Sequence, residues 1–158
     1  MSRFAVEDVV SQYQRSFRML YEEIERFSAE NWMKGPSYFQ RPIIQVWHLL
    51  DCLDFYFTDK PDVEYIWGHY FGGGYWELPE EKYPTQAQLL AYARELEARV
   101  VKEFTALCDE DLLKPYARGD DATTWLGHYI YAVRHTMHHH GQLAVLLAEQ
   151  SIEGGSWY

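Results

Sequence analysis

TTWLGHYIYAVRHTMHHHGQLAVL, residues 123–146, reads as one helix, and the rest of the chain is organised around it. Five of the seven histidines lie in it, at 128, 135, 138, 139 and 140. It has no proline, and Gly127 does not break the helical pattern. At about 100° per residue, Thr124, Trp125, His128, Tyr131, Ala132, His135, His139, Gln142, Leu143 and Leu146 fall on one face. That face is a stripe of imidazoles among aromatic and aliphatic side chains. His135 and His139 are four residues apart, about 6 Å along the axis, so both reach one metal ion. His138 and His140 point to other faces.

Three more helices are expected upstream. Over 4–27, Val6, Val9, Val10, Tyr13, Phe17, Leu20, Ile24 and Phe27 recur at steps of three and four, the pattern of one amphipathic helix. A short link carrying Gly35 and Pro36 follows. Pro42 suits a first helical position, and 42–57, PIIQVWHLLDCLDFYF, is apolar almost all round, as for a helix buried on more than one side. Thr85 and Gln88 have the form of a capping box. They open a helix over 85–107 with a stripe of Leu89, Ala93, Leu96, Val100, Phe104 and Leu107. Residues 108–122 connect it to the last helix, 123–148, for which Asp120, Asp121 or Thr123 is the candidate cap. The tail from 149 is expected to be unstructured unless Trp157 packs.

Between the second and third helices, residues 58–84 hold Gly68, three consecutive glycines at 72–74, and Pro61, Pro79 and Pro84. This reads as a long loop with, at most, a helical turn near 62–67. It is long enough to cross a bundle from end to end. Its aromatics, Tyr65, Trp67, Tyr70, Phe71, Tyr75 and Trp76, either anchor it or line a pocket mouth, and anchoring is the default. His69 is expected on the surface or in loop packing. A faint echo relates 28–34, SAENWMK, to 108–114, CDEDLLK, at an offset that also carries His48 onto His128.

At 158 residues one domain, 1–158, is expected, large enough to bury a core. With 6 Trp, 13 Tyr and 8 Phe the chain is too apolar for disorder. A net charge of −10, without a Lys/Arg cluster, speaks against nucleic acid. No apolar run is long enough to span a membrane. The charged start MSRFAVEDVV is unlike a signal peptide, which suggests the cytoplasm. Two cysteines, Cys52 and Cys108, suit a reducing compartment.

The expected fold class is therefore all-α, a four-helix bundle, and bundle cores are where such proteins hold metals. His48, on the second helix, shares a face with Ile44, Asp51, Cys52 and Phe55. With His135 and His139 it completes a three-imidazole set for a divalent cation, with a position left open as in catalytic sites. Cys52, one turn on, reads as a small core residue before a fourth ligand. Asp51 either supports a ligand imidazole or is exposed. His128, roughly 10 Å along the axis from His135, is too far to share the ion and lines the pocket at most. No nucleophile motif or phosphate-binding glycine loop is present.

The segment 135–142, HTMHHHGQ, resembles the H-x-x-H-H-x-G-Q motif of the DinB/YfiT-like proteins, and 46–50, VWHLL, resembles that family's second-helix signature. The resemblance covers nearly the whole chain. It implies up-down-down-up helices, a divalent metal, nickel or zinc, on His48, His135 and His139, and a homodimer. Members with known activity include thiol S-transferases using bacillithiol, mycothiol or glutathione, and mycothiol-dependent maleylpyruvate isomerases. By that resemblance the chain is expected to act on a small-molecule substrate with a low-molecular-weight thiol as co-substrate. His140 departs from the pattern, standing where the family often has Arg. Metal-dependent hydrolysis, and a non-catalytic bundle binding a partner or an apolar ligand, are the alternatives.

Overall fold

The computed structural model describes residues 2–58, 64–118 and 122–158. It is helical, and no strand occurs among the described residues. Four long helices, α1 (Phe4–Arg26), α3 (Pro42–Tyr56), α4 (Gln86–Thr105) and α6 (Trp125–Glu149), are joined by segments holding two one-turn helices, α2 (Ala29–Trp32) and α5 (Asp109–Leu112).

Three of the four long helices begin where the chemistry of their first residues directs. Pro42 starts α3 with its preset φ and its missing N–H, which costs nothing in a first turn. Thr85 and Gln88 form a reciprocal capping box on α4. Thr124, not Thr123, caps α6: its hydroxyl accepts from the Gly127 amide at 3.2 Å. The other candidates, Asp120 and Asp121, lie outside the described residues, as does part of the expected turn near 62–67. The links at 28–34 and 108–114, expected to be plain connections, each fold into one helical turn. In α2 the Ser28 hydroxyl accepts from the Asn31 amide, and in α5 the Asp111 carboxylate accepts from the Cys108 amide at 2.8 Å. The echo between the two segments thus has a local structural counterpart.

α1 packs against α4 and α6, and α3 packs against the same two helices from the opposite side. The core between them joins Tyr13, Phe17, Leu20 and Ile24 of α1 to Ile43, Trp47, Leu50 and Leu53 of α3, Leu89, Leu96 and Val100 of α4, and Ala132, Leu143 and Leu147 of α6. Because α6 touches two neighbours, it is buried on two sides. His128, Ala132 and His139 lie on the expected stripe, but Tyr129, Thr136 and His140 are buried as well. Cross-helix pairs fix the registers. The Tyr13 hydroxyl donates to the Tyr129 carbonyl at 2.8 Å, and Glu23 meets His140. The Gln86 amide donates to the Phe27 carbonyl at 2.7 Å, and the Tyr21 hydroxyl to the Glu97 carboxylate at 2.7 Å.

The loop after α3 is tied down by its aromatics. Phe71 and Tyr83 pack edge-on against Trp47, Tyr70 stacks on Tyr92 with ring centroids 3.9 Å apart, and Trp67 stacks on Phe55. The Tyr65 and Tyr92 hydroxyls donate to the buried Asp54 carboxylate at 3.2 and 2.9 Å, where Arg99 and His69 also converge. Gly68 turns the chain at φ 72, and a Cβ there would sit 2.3 Å from the Gly74 nitrogen, so only glycine fits. The tail beyond α6 has no regular structure and Trp157 is exposed, yet the Ser156 amide donates to Glu22 and Arg18 lies over the Tyr158 ring.

Candidate metal centre

α3 and α6 face each other, and each presents two residues four apart, one turn along the helix. From α3 these are His48 and Cys52; from α6 they are His135 and His139. Nε2 of His135 and Nε2 of His139 are 3.3 Å apart, and Nε2 of His48 is 3.5 Å from Sγ of Cys52. Across the interface, donor atoms of His48, Cys52 and His135 all lie within 4.8 Å of one another. The His48 ring centroid is 5.0 Å from that of His139 and 5.7 Å from that of His135. His48 and His135 are half-buried, while Cys52 and His139 are buried.

The far ring nitrogens orient the donors. His139 donates from Nδ1 to the Gln45 amide oxygen at 2.8 Å, which leaves the Nε2 lone pair facing His135. Nδ1 of His48 meets the Tyr75 hydroxyl at 3.3 Å. Nδ1 of His135 is buried with no hydrogen-bond partner among the described residues. Burial holds the His139 imidazole down at about 3 and the His135 imidazole at about 4, with the neighbouring imidazoles adding to both shifts. Burial lowers His48 too. The three rings are therefore neutral near pH 7, the form that donates to a metal. Burial, and then Asp51, push the Cys52 thiol up to about 12.

These residues fit a divalent cation. Three neutral imidazoles and a sulfur suit zinc and its neighbours in the first transition row. Hydrogen-bonded far nitrogens are the usual support of metal-bound histidines.

The sequence profile of the DinB superfamily matches residues 12–143, a span that includes every donor named above. The chain belongs to the DinB superfamily. No curated protein matches it.

The remaining titratable groups of this DinB chain do other work. His128 donates from Nε2 to the Tyr56 carbonyl at 3.0 Å and stacks on Tyr116, packing α6 against the end of α3. His138 is exposed and pairs with Gln142. His140, on another face of α6, is buried and donates from Nδ1 to the Glu23 carboxylate at 2.6 Å. His69 packs the loop, 3.3 Å from Asp54. Asp51 neither touches a ligand imidazole nor faces water. Its carboxyl is buried and pushed up to about 7, by burial first and by Asp54 second.

Of the loop aromatics, Tyr75 reaches His48, and the Tyr38 and Tyr83 hydroxyls hold its carbonyl in place. Tyr75 is among the loop aromatics that the sequence offers as pocket lining, whereas Gln45, Glu23 and Asp54 are not singled out by it. A polar residue in an apolar helix, as at Gln45 and Asp54, is the signal that could have flagged two of them. A cavity of about 460 Å³ opens beside the site, lined by Gln40, Gln45, Met137, His138 and Gln142 among others. It reaches the Gln45 side chain that holds His139.

Proposed function

We propose that this chain binds one divalent cation, nickel or zinc, through His48, His135 and His139, and uses it to activate a small thiol for attack on an electrophilic small molecule. The observation that carries the reading is the convergence of neutral imidazoles from α3 and α6 on one another. Bound there, the cation supplies Lewis acidity, which makes a thiol beside it more acidic. The chain's own part is orientation. Gln45 fixes the tautomer of His139, and Tyr75 braces His48 from the loop. Tyr56, edge-on to His135 with ring centroids 5.6 Å apart, walls the centre on its α3 side.

The frame of the site is, in this reading, up-down-down-up, with the long loop crossing between α3 and α4. Tyr13 with Tyr129 and Glu23 with His140 give α1 and α6 one sense. Gln45 with His139 and Tyr56 with His128 give α3 and α6 opposite senses. A cytoplasmic homodimer belongs to the same proposal. Ile130 and Val145, exposed on α6, are apolar groups that a second copy would cover, and light scattering of the purified chain tests this.

Elemental analysis of untagged protein beside His48→Ala tests the centre. Near-stoichiometric nickel or zinc in the parent, absent from the variant, is the expected result. A panel of thiols with electrophiles, run against esters and amides, then separates thiol transfer from hydrolysis. Activity confined to the esters would replace the thiol reading with metal-dependent hydrolysis.

A further inference from the structure

The side chains of α3 and α6 hold two donor pairs whose spacings match edges of a coordination tetrahedron. For imidazole bonds of about 2.05 Å and thiolate bonds of about 2.3 Å at tetrahedral angles, two nitrogens lie about 3.35 Å apart, and a nitrogen and a sulfur about 3.6 Å. In this chain the His135–His139 nitrogens are 3.3 Å apart, and the His48 nitrogen is 3.5 Å from the Cys52 sulfur. One edge runs along each helix, and the two face each other across the interface. Cys52 is only 5% exposed, and its sulfur forms, with one donor atom each of His48 and His135, a group whose members all lie within 4.8 Å of one another; His139 joins this group through its 3.3 Å approach to His135.

We propose that Cys52 is the fourth donor of the centre, so that the site is a closed His48–Cys52–His135–His139 tetrahedron suited to zinc rather than to six-coordinate nickel. This rests on the reading that a cation sits between α3 and α6. The spacing of a turn gives both edges the same origin: a residue and the one four further on share a helix face. A thiolate in the set favours a thiophilic, tetrahedral ion. Four protein donors also leave no open position, which sets a condition on the thiol chemistry. With the cation bound, an external thiol would have to take the place of Sγ and pass its proton to the Cys52 thiolate it displaces, so that charge and protons balance in the exchange. Cys52 thus reserves the position where an external thiol binds.

A plain hydrogen bond from the Cys52 thiol to His48 would give a similar distance, and cobalt separates the two. Metal-free protein is titrated with cobalt(II) and followed by absorption, beside Cys52→Ala and, as a control for the other cysteine, Cys108→Ala. Expected are intense visible bands of tetrahedral cobalt and a thiolate-to-cobalt charge-transfer band in the near ultraviolet. The charge-transfer band should be lost in Cys52→Ala, kept in Cys108→Ala, and regained by Cys52→Ala when 2-mercaptoethanol is added. Cobalt bound by the parent without that band, or a band that survives Cys52→Ala, overturns the role of Cys52 and leaves the three-histidine centre standing. Failure of the parent to bind cobalt or zinc overturns the centre itself and the inference with it. Should Cys52→Ala not fold, X-ray absorption of the zinc-loaded parent decides, with a sulfur shell at about 2.3 Å expected beside nitrogen at about 2.0 Å. A shell of nitrogen and oxygen only overturns the proposal.

Discussion

His139 donates from Nδ1 to the side-chain oxygen of Gln45 at 2.8 Å, and the Gln45 amide nitrogen in turn donates to the Phe39 carbonyl. The amide cannot turn over without losing one of these contacts, so it fixes which His139 nitrogen faces His135. Gln45→Leu removes the acceptor and leaves the apolar surroundings filled. It should weaken zinc affinity by roughly 10–100-fold, the usual cost of losing such a support. Competition with a chelating dye reads the change, and an affinity equal to the parent's would show that Gln45 does not orient the ligand.

Asp51 offers a pH test. Its carboxyl sits at about 7 in the fold, against about 3.9 in an unfolded chain. The fold therefore disfavours the charged form. The contribution to stability is full below about pH 4 and is lost as pH rises towards 7. Asp51→Asn keeps the shape without the charge. It should stabilise the protein at pH 8 by up to about 4 kcal/mol, the linkage limit for a shift of that size, and the gain should vanish near pH 4. Urea unfolding at both pH values measures it; an equal effect at the two would show that Asp51 does not titrate across that range.

Asp54, three residues on, is held by several donors at once: Tyr65, Tyr92, Arg99 and His69. It ties the long loop to α3 and α4. Asp54→Ala leaves buried hydroxyls without their acceptor and should cost about 3–5 kcal/mol. The loop carries Tyr75, so the brace on His48 should loosen as well. Proteolysis within 64–83 should become faster in the variant; an unchanged cleavage rate would mean that the aromatic packing alone pins the loop.

Periodicity made the helices legible because it reports which face of a segment is buried, and the stripes of α1 and α4 lie in the core as expected. The same logic picked out His48, His135 and His139 from the meeting of a spacing of four with an apolar face. What it could not report was the partner. Nothing in the local pattern of α6 says that it has a second buried side, because that depends on where α1 lies. His140 therefore looked like an outward residue of a histidine run. Cys52 was discounted for a related reason: the sequence gives its distance from His48 along one helix but not its distance from His135 on another. The one-turn helices α2 and α5 are too short to carry a period and depend on their capping contacts alone.

The Glu23–His140 pair is the clearest case of such a hidden partnership. Both side chains are buried, and they meet at 2.6 Å between α1 and α6, on the side of α6 away from α3. Burial pushes the Glu23 carboxyl up while the imidazole pulls it down, so the pair holds itself together at the cost of desolvation. Breaking it from one side strands a buried polar group. Glu23→Leu and His140→Leu should each cost about 3–5 kcal/mol, the usual range for a half-broken buried pair. The double variant replaces both groups by apolar ones and should recover most of that loss. A double-mutant cycle in urea therefore gives a large coupling energy, the double loss falling well below the sum of the single losses, if the two residues act as a unit, and additive losses if they do not. Zinc affinity should stay near the parent's in the double variant, because His140 turns its ring towards α1 and the proposed cation site lies towards α3. A double variant that folds but no longer binds zinc would mean that the α1–α6 contact sets the position of His135 and His139, and that the two faces of α6 are not independent.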